Sequence, residues 1–372
     1  MDDLLVVGGG PVGLATALYA ARSGLQVSVL ERREGQLDKA CGEGLMPGAL
    51  AALADLGVSP TGAPITGITY VSGGRRATAS FREGLGRGVR RTVLHDALAE
   101  AAAAAGITVV RGVARSVAQD RDRVLVGVAG EDAPLCAHHV VGADGLHSLV
   151  RSAVAPTTPS SRPARTSPGH QTAQLRGRSR HGLRRHYALA PWSDTVEVHW
   201  GEHAEAYVTP IDDDTVGVAV LTREQASFDA LIATFPELGQ RLEGAQPTTA
   251  VRGAGPFRQR SARRVVGHVL LVGDASGYVD ALTGEGLALG LTQARRAVAA
   301  IVAGTPAAYE RSWRQVSRRP NALTAGLELA TRSQLVRRAI VPAASAAPWL
   351  FSTIVNELAC PATDLVPTPV SR

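Results

Sequence analysis

Lysine is almost missing from this sequence. Lys39 is the one lysine among 39 basic residues, so the formal charge of +6 and the pI near 9.7 rest on arginine. Those arginines are spread along the chain rather than massed in a run, and alanine and glycine are heavy. The pattern reads as compositional bias, not as a nucleic-acid footprint, and no nucleic-acid partner is expected. Cysteine is scarce as well. Cys41, Cys136 and Cys360 are odd in number, far apart and free of CxxC spacing, which argues against a disulfide framework or a zinc site. No metal is expected, and a reducing cytoplasm is the expected location. The N-terminus has no charged leader followed by an apolar signal core; it begins directly on strand-like Leu4-Leu5-Val6-Val7, after Met1-Asp2-Asp3. Residues 339–356 carry no charge, yet Pro342 and Pro348 make them a poor transmembrane helix and a candidate lid or membrane-surface segment. The spacing Gly-x-Gly-x-x-Gly also occurs only once.

The chain does have the means for a large core, with 372 residues and 45% apolar content. Leu4 to Val7 is an apolar run fit for a buried parallel strand, Leu14 to Ser23 is rich in helix formers, and Leu25 to Leu30 reads as a second strand ending in Glu31. Between them lies Gly8-x-Gly10-Pro11-x-Gly13. Gly8 permits the sharp turn out of the strand, Gly10 lets backbone approach a pyrophosphate, and Gly13 allows close helix–strand packing. The helix N-terminus beginning at Pro11 supplies positive potential, and Glu31, followed by Arg32, is spaced to accept from ribose hydroxyls. Further along, Ile65 to Ser72 and Arg75 to Phe81 pair across Gly73-Gly74, and Thr92 to Ala105 reads as a helix. Thr195 to Trp200, Ala204 to Thr209 and Thr215 to Leu221 read as an antiparallel sheet. Thr157 to Arg185 is expected to be an exposed crossover, Val265 to Val272 a buried strand, and the chain from Gly286 onward helical.

Two more motifs repeat the strand–glycine–acid form: Val140-Val141-Gly142-Ala143-Asp144-Gly145, and Val272-Gly273-Asp274-Ala275 followed by Thr283-Gly284-Glu285-Gly286-Leu287. Asp274 is suited to a ribitol hydroxyl. The Gly284–Gly286 turn offers bare amides at a helix start, which would stabilise negative charge on a reduced flavin.

The order of these three motifs resembles FAD-dependent monooxygenases related to aromatic hydroxylases, over roughly residues 1–310. The stretch Asp38-Lys39-Ala40-Cys41-Gly42-Glu43-Gly44-Leu45 is similar to the signature of the geranylgeranyl reductase branch. The resemblance implies an α/β fold: a Rossmann-like FAD-binding domain of the glutathione-reductase/aromatic-hydroxylase type, an inserted antiparallel β-sheet substrate domain and a C-terminal helical tail. On that plan the FAD-binding parts are 1–72, 91–160 and 261–310, the substrate parts 73–90 and 161–260, and the helical segment 311–372. It further implies FAD as cofactor with NAD(P)H as transient reductant. Lys39, Cys41, Gly42 and Arg91 would lie along the flavin, and Asp144 would serve FAD and NAD(P)H.

Departures from the family bear on the substrate. Geranylgeranyl reductases carry a Tyr-x-Trp-x-Phe-Pro strand, whereas this chain has Glu205-Ala206-Tyr207-Val208-Thr209-Pro210, which argues against a long apolar prenyl substrate; the halogenase Trp-x-Trp-x-Ile-Pro is missing too, which argues against chlorination. Glu205, Tyr207 and Thr209 share one strand face, as do Glu197 and His199. His199, Glu205, Tyr207 and Thr209 are therefore candidate substrate contacts if those faces meet the flavin, and Cys41 and Tyr207 are candidate catalytic groups. The leading expectation is an NAD(P)H-dependent monooxygenase that hydroxylates or epoxidises a small-to-medium hydrophobic metabolite. The alternative is saturation of an isoprenoid or other alkene.

Overall fold

The computed structural model describes residues 1–155 and 179–359. Most of the expected crossover, Thr157 to Arg185, and Cys360 lie outside them. β1 (Asp2–Val7) leads through helix α1 (Pro11–Arg22) to β2 (Val27–Glu31). A hairpin, β3 (Gly67–Ser72) and β4 (Arg75–Ser80), turns at Gly73 and Gly74. Next come α2 (Arg91–Ala104), β5 (Thr108–Arg111), β6 (Leu135–Gly142) and the short α3 (Leu149–Ala153). β7 (His181–Ala188), β8 (Thr195–Trp200), β9 (Ala204–Asp212) and β10 (Thr215–Thr222) follow. The chain then forms β11 (Val269–Leu271), α4 (Gly286–Val302), α5 (Tyr309–Ala330), α6 (Gln334–Ala346) and α7 (Pro348–Ala359).

Strands from distant parts of the chain build one parallel core, in the order β11-β6-β1-β2-β5. It is buried on both faces, which explains why β1 is an unbroken apolar run rather than an alternating one. Leu4 and Val6 pack with Leu14 and Leu18 of α1 and Leu291 of α4, while Leu5 and Val7 pack with Val124, Val126 and Val128. The carboxyl ends of β1, β6 and β11 all feed glycine turns on one edge, the place where open α/β sheets bind ligands.

The second sheet runs β7-β10-β9-β8-β3-β4. It is antiparallel except where β3 joins β8 in parallel. Both strands of the 67–80 hairpin belong to this sheet, so a division at 72/73 falls in the turn of one hairpin. The expected strand over Val265–Val272 is also revised. Gly267, at φ +58, folds it into two antiparallel pieces, Val265–Val266 and β11, and only β11 enters the parallel core. The helical tail is present: α6 and α7 lie over β3 and β4, where Ala344, Phe351 and Val355 bury Ala77 and Ala79.

Candidate functional site

A cavity of about 690 Å³ opens where the parallel strands end and continues beneath the second sheet. Gly8, Gly10, Pro11, Glu31 and Arg32 line it from the first turn. Lys39, Cys41, Gly42, Arg91, Asp144, Gly273, Asp274, Gly284, Gly286 and Leu287 line it from the later segments. Gly13 does not; its part is packing. A Cβ there would stand 1.8 Å from the Gly8 carbonyl oxygen, so this helix cannot meet its strand with any side chain at 13. Gly10 is the opposite case. Its φ of −70° and ψ of 174° suit any residue, and a Cβ would meet nothing within 4 Å. What it keeps clear is space beside the amino end of α1, a cradle shaped for a phosphate-bearing group.

Local hydrogen bonds hold the cradle. The Glu31 carboxylate accepts from the Gly9 amide at 2.6 Å and from the Arg33 amide at 2.8 Å. Asp144 spends its carboxylate on capping α3: it accepts from Ser148 Oγ, from the Leu149 amide at 2.7 Å and from the Val150 amide at 3.2 Å. The Ala143–Asp144 backbone also packs so closely on Gly8 that a Cβ at 8 would lie 2.6 Å from Ala143 O. Lys39 reaches across the cavity and puts Nζ 3.2 Å from Asp274 Oδ2. A compact ammonium at this gap ties the 38–45 segment to the strand-end turn at Gly273.

The 38–45 segment is anchored from behind by a polar cluster that sequence reasoning did not find. Glu43 is buried with φ +59, a left-handed conformation that costs a side-chain-bearing residue about 1–3 kcal/mol. Its carboxylate accepts from the Arg91 amide at 2.9 Å and meets His186 Nε2 at 2.6 Å. Arg184, fully buried on the same strand face as His186, pairs with Asp38, and Arg252 reaches Asp38 at 3.2 Å. Burial works against ionisation of Asp38, but Arg184 and Arg252 hold its carboxyl below the ordinary value. Thr209 donates to the Gly42 carbonyl at 2.7 Å, so it braces the segment rather than lining the cavity. Cys41 is left half-buried on the cavity wall, its Sγ accepting from the Glu43 amide at 3.4 Å.

The second sheet contributes the far wall. Val196 and Val198 of β8, Tyr207 of β9, and Ala219 and Leu221 of β10 line it, with Ile68 and Tyr70 of β3. Tyr207 donates its hydroxyl to the Leu282 carbonyl at 2.9 Å, and burial raises its pKa well above the ordinary value, so it stays protonated. Two substrate candidates belong elsewhere. Glu205 is fully buried between Arg180 and Arg337 and has no free face for a ligand. His199 sits on the opposite side of the sheet from Val198, beside Ala206, and bonds Glu197 at 3.1 Å. Tyr70 and Phe257 line the cavity from segments no motif marked, and Tyr278 from within the third glycine–acid motif; together they restore aromatic surface that the β9 strand lacks.

Glu197 also fixes a pH dependence. Burial opposes its charge, but hydrogen bonds from His199 and Trp192 and the Arg76 charge prevail and bring its pKa from 4.5 to about 2. A carboxyl depressed on folding stabilises the native state above its unfolded pKa, and that contribution is lost as pH falls through the folded value. Glu197→Gln is expected to cost on the order of 2–3 kcal/mol at neutral pH. The difference from the parent should shrink steadily between pH 4.5 and about 2. Urea unfolding across that range checks it; a pH-independent difference would mean that Glu197 acts by shape alone.

A sequence model described as FAD binding domain matches residues 2–305. The chain belongs to this FAD-binding family. It is an FAD-dependent oxidoreductase, and NAD(P)H is the reductant typical of the family. The menaquinone reductase of Mycolicibacterium smegmatis is 27% identical over 342 residues, 84% of this chain and 79% of the relative. Digeranylgeranylglycerophospholipid reductase 1 of Methanothermobacter thermautotrophicus is 29% identical over 309 residues, covering 78% and 74%. Among solved structures, p-nitrophenol 4-monooxygenase from Pseudomonas putida superposes with a TM-score of 0.77 over 98% of this chain and 99% of that one. At 18% identity that likeness speaks for the fold. The residues present fit FAD: the open Gly10 cradle, the amino end of α1 and the Glu31 carboxylate form one continuous wall, which the Lys39–Asp274 pair and the amino end of α4 extend.

Proposed function

We propose that this protein is an FAD-dependent reductase that saturates a carbon–carbon double bond in an apolar, isoprenoid-type molecule. The observation that carries the reading is the continuation of the cavity beyond the glycine cradle. Ile68, Tyr70, Val198, Leu221 and Phe257 wall it, and it runs on to Val355 and Leu358 of α7. Such a lining favours a hydrocarbon chain and offers little to a polar one. The two relatives above, named for menaquinone and for a digeranylgeranyl lipid, support the same substrate chemistry.

FAD, when bound, supplies the hydride. The chain supplies the rest. Gly10 and the α1 amino end receive the pyrophosphate, and the amino end of α4 at Gly286 favours negative charge beside it. Saturating an alkene also needs a proton. Tyr207 is poorly placed to give one, since its hydroxyl is committed to Leu282 and its pKa is raised. Cys41, half-buried where the 38–45 segment lines the cavity, is the better donor, and the Glu43–His186–Arg184 cluster sets its position. Cys41→Ala is expected to slow saturation at least about tenfold while flavin stays bound.

Oxygen transfer to an arene or alkene is the competing outcome, because β9 keeps only one aromatic of the reductase strand motif, Tyr207. The test is product analysis after incubating FAD-loaded protein with NADPH and a prenylated quinone, with and without O₂. A product whose prenyl side chain, not its quinone ring, has gained two hydrogens under argon is expected. A product that forms only in air and carries one added oxygen atom would overturn the reading.

A further inference from the structure

Helices α6 and α7 bury apolar side chains on one side and expose others on the opposite side. Their inner side is core, where Val341, Phe351, Val355 and Leu358 are buried. Their outer side is bare: Leu335 is 79% exposed and Trp349 71%, with Val336, Leu350 and Ile354 exposed beside them. Five of the twelve large apolar side chains exposed among the described residues thus fall between 335 and 354. Isolated exposed hydrophobics are ordinary, but a run of them on one pair of helices marks an interaction surface. The helices meet at a 105° bend, and no single helix among the described residues is long and apolar enough to cross a membrane. No charged residue occurs from Ala339 to Asn356.

Arginines border this surface. Arg82 bonds Ser352 and Asn356 of α7, and Arg319 pairs with Glu357 at 2.9 Å. Arg332, which precedes α6, pairs with Glu328 at 3.1 Å, and Arg338, 69% exposed among the outer residues of α6, pairs with Glu202 at 3.3 Å at the protein surface. Tryptophan and aliphatic residues within an arginine border match a bilayer interface with anionic headgroups. The rings and methyl groups enter the acyl boundary, and the guanidinium groups meet lipid phosphate.

The position matters as much as the composition. Val355, next to the exposed Ile354, and Leu358, one turn further on, line the cavity from the inner side of α7. We propose that the α6–α7 elbow docks this protein on anionic lipid bilayers and delivers apolar substrate from the bilayer into the cavity past α7. The docking stands on the surface itself; the delivery rests on the reductase reading above.

Flotation of the full-length, FAD-loaded protein with vesicles tests it. Binding to phosphatidylglycerol–phosphatidylcholine vesicles is expected, weaker to pure phosphatidylcholine and weakened by salt. Trp349→Glu with Ile354→Glu changes only exposed positions and should lower vesicle binding at least tenfold, with flavin content and turnover of detergent-dispersed substrate retained. Trp349→Phe should still float and should remove a blue shift of tryptophan emission that vesicles induce in the parent. Equal flotation of parent and double variant would overturn the proposal. So would a parent dimer that the double variant splits and that ignores vesicles, since a second copy would then be the occupant. Vesicle binding without alkene saturation would sink the reductase reading and leave the surface standing; saturation of dispersed substrate with no vesicle binding would do the reverse.

Discussion

Gly10→Val is expected to strip FAD from the protein while leaving the fold intact. The backbone at 10 is already extended, and a Cβ there would meet no protein atom within 4 Å, so the melting temperature of the flavin-free protein should hardly move. The same side chain would occupy the space at the amino end of α1 where the pyrophosphate must come close to bare backbone. Loss of those contacts should weaken flavin binding by about 4 kcal/mol, roughly a thousandfold. Gly13→Ala separates the two roles, because its Cβ would strike the Gly8 carbonyl and destabilise the fold before any ligand is considered. Flavin absorbance retained through gel filtration, together with thermal melts of both variants, distinguishes them. A yellow, FAD-retaining Gly10→Val protein would place the pyrophosphate elsewhere.

Glu205→Ala should markedly destabilise the protein. Glu205 is fully buried and holds both Arg180 and Arg337; Arg180 also stands 3.4 Å from Asp280. Removing the carboxylate leaves two guanidinium groups in the interior with one remaining acidic partner, a cost of about 3–5 kcal/mol. That is a large part of the 5–15 kcal/mol by which a domain is usually stable. Arg337 lies on α6 and also donates to the Gly201 carbonyl at 3.2 Å, so the loss should release the helix that carries the exposed Leu335 and Val336. Adding Arg337→Met to the variant should recover part of the stability, because one stranded charge is then gone. Urea unfolding of the single and double variants measures this. A cost below about 1 kcal/mol for Glu205→Ala would show the cluster to be neutral overall.

The difference between these two sites shows what could be read before the fold was known. The Gly8–Gly13 turn, Glu31 and the 67–80 hairpin are local: turn, cap and period follow from residues within one βαβ unit or one hairpin, so their spacing is enough. The Glu205 cluster joins β9 to α6, a separation of 132 residues, and nothing near Glu205 announces its partners. The period of two correctly grouped Glu205 with Tyr207 and Glu197 with His199, but a period cannot say which face meets the cavity. The structure shows Tyr207 on it, Glu205 beyond its reach and His199 behind the sheet. The reading of Val265 to Val272 as one strand failed at Gly267, where a glycine in the left-handed region turns the chain back so that Val265–Val266 pairs antiparallel with Val269–Leu270. Arg184 and His186 were invisible for the same reason as the Glu205 cluster: their partners Asp38 and Glu43 come from the opposite end of the chain, 146 and 143 residues away. The loss of aromatics from the β9 motif argued against a long apolar substrate. Tyr70 and Phe257 weaken that argument, since they bring aromatic surface to the same cavity from other segments.

The cavity wall is the feature on which the functional reading depends, and one single-turnover measurement tests it most directly. Protein carrying FAD, reduced with dithionite under argon, is mixed with a prenylated quinone and followed by the return of oxidised-flavin absorbance. Reoxidation by the substrate alone, with a saturated product, is the expected result, and Cys41→Ala should slow it. Flavin that stays reduced until air is admitted would contradict alkene reduction and leave oxygen transfer as the chemistry of this site.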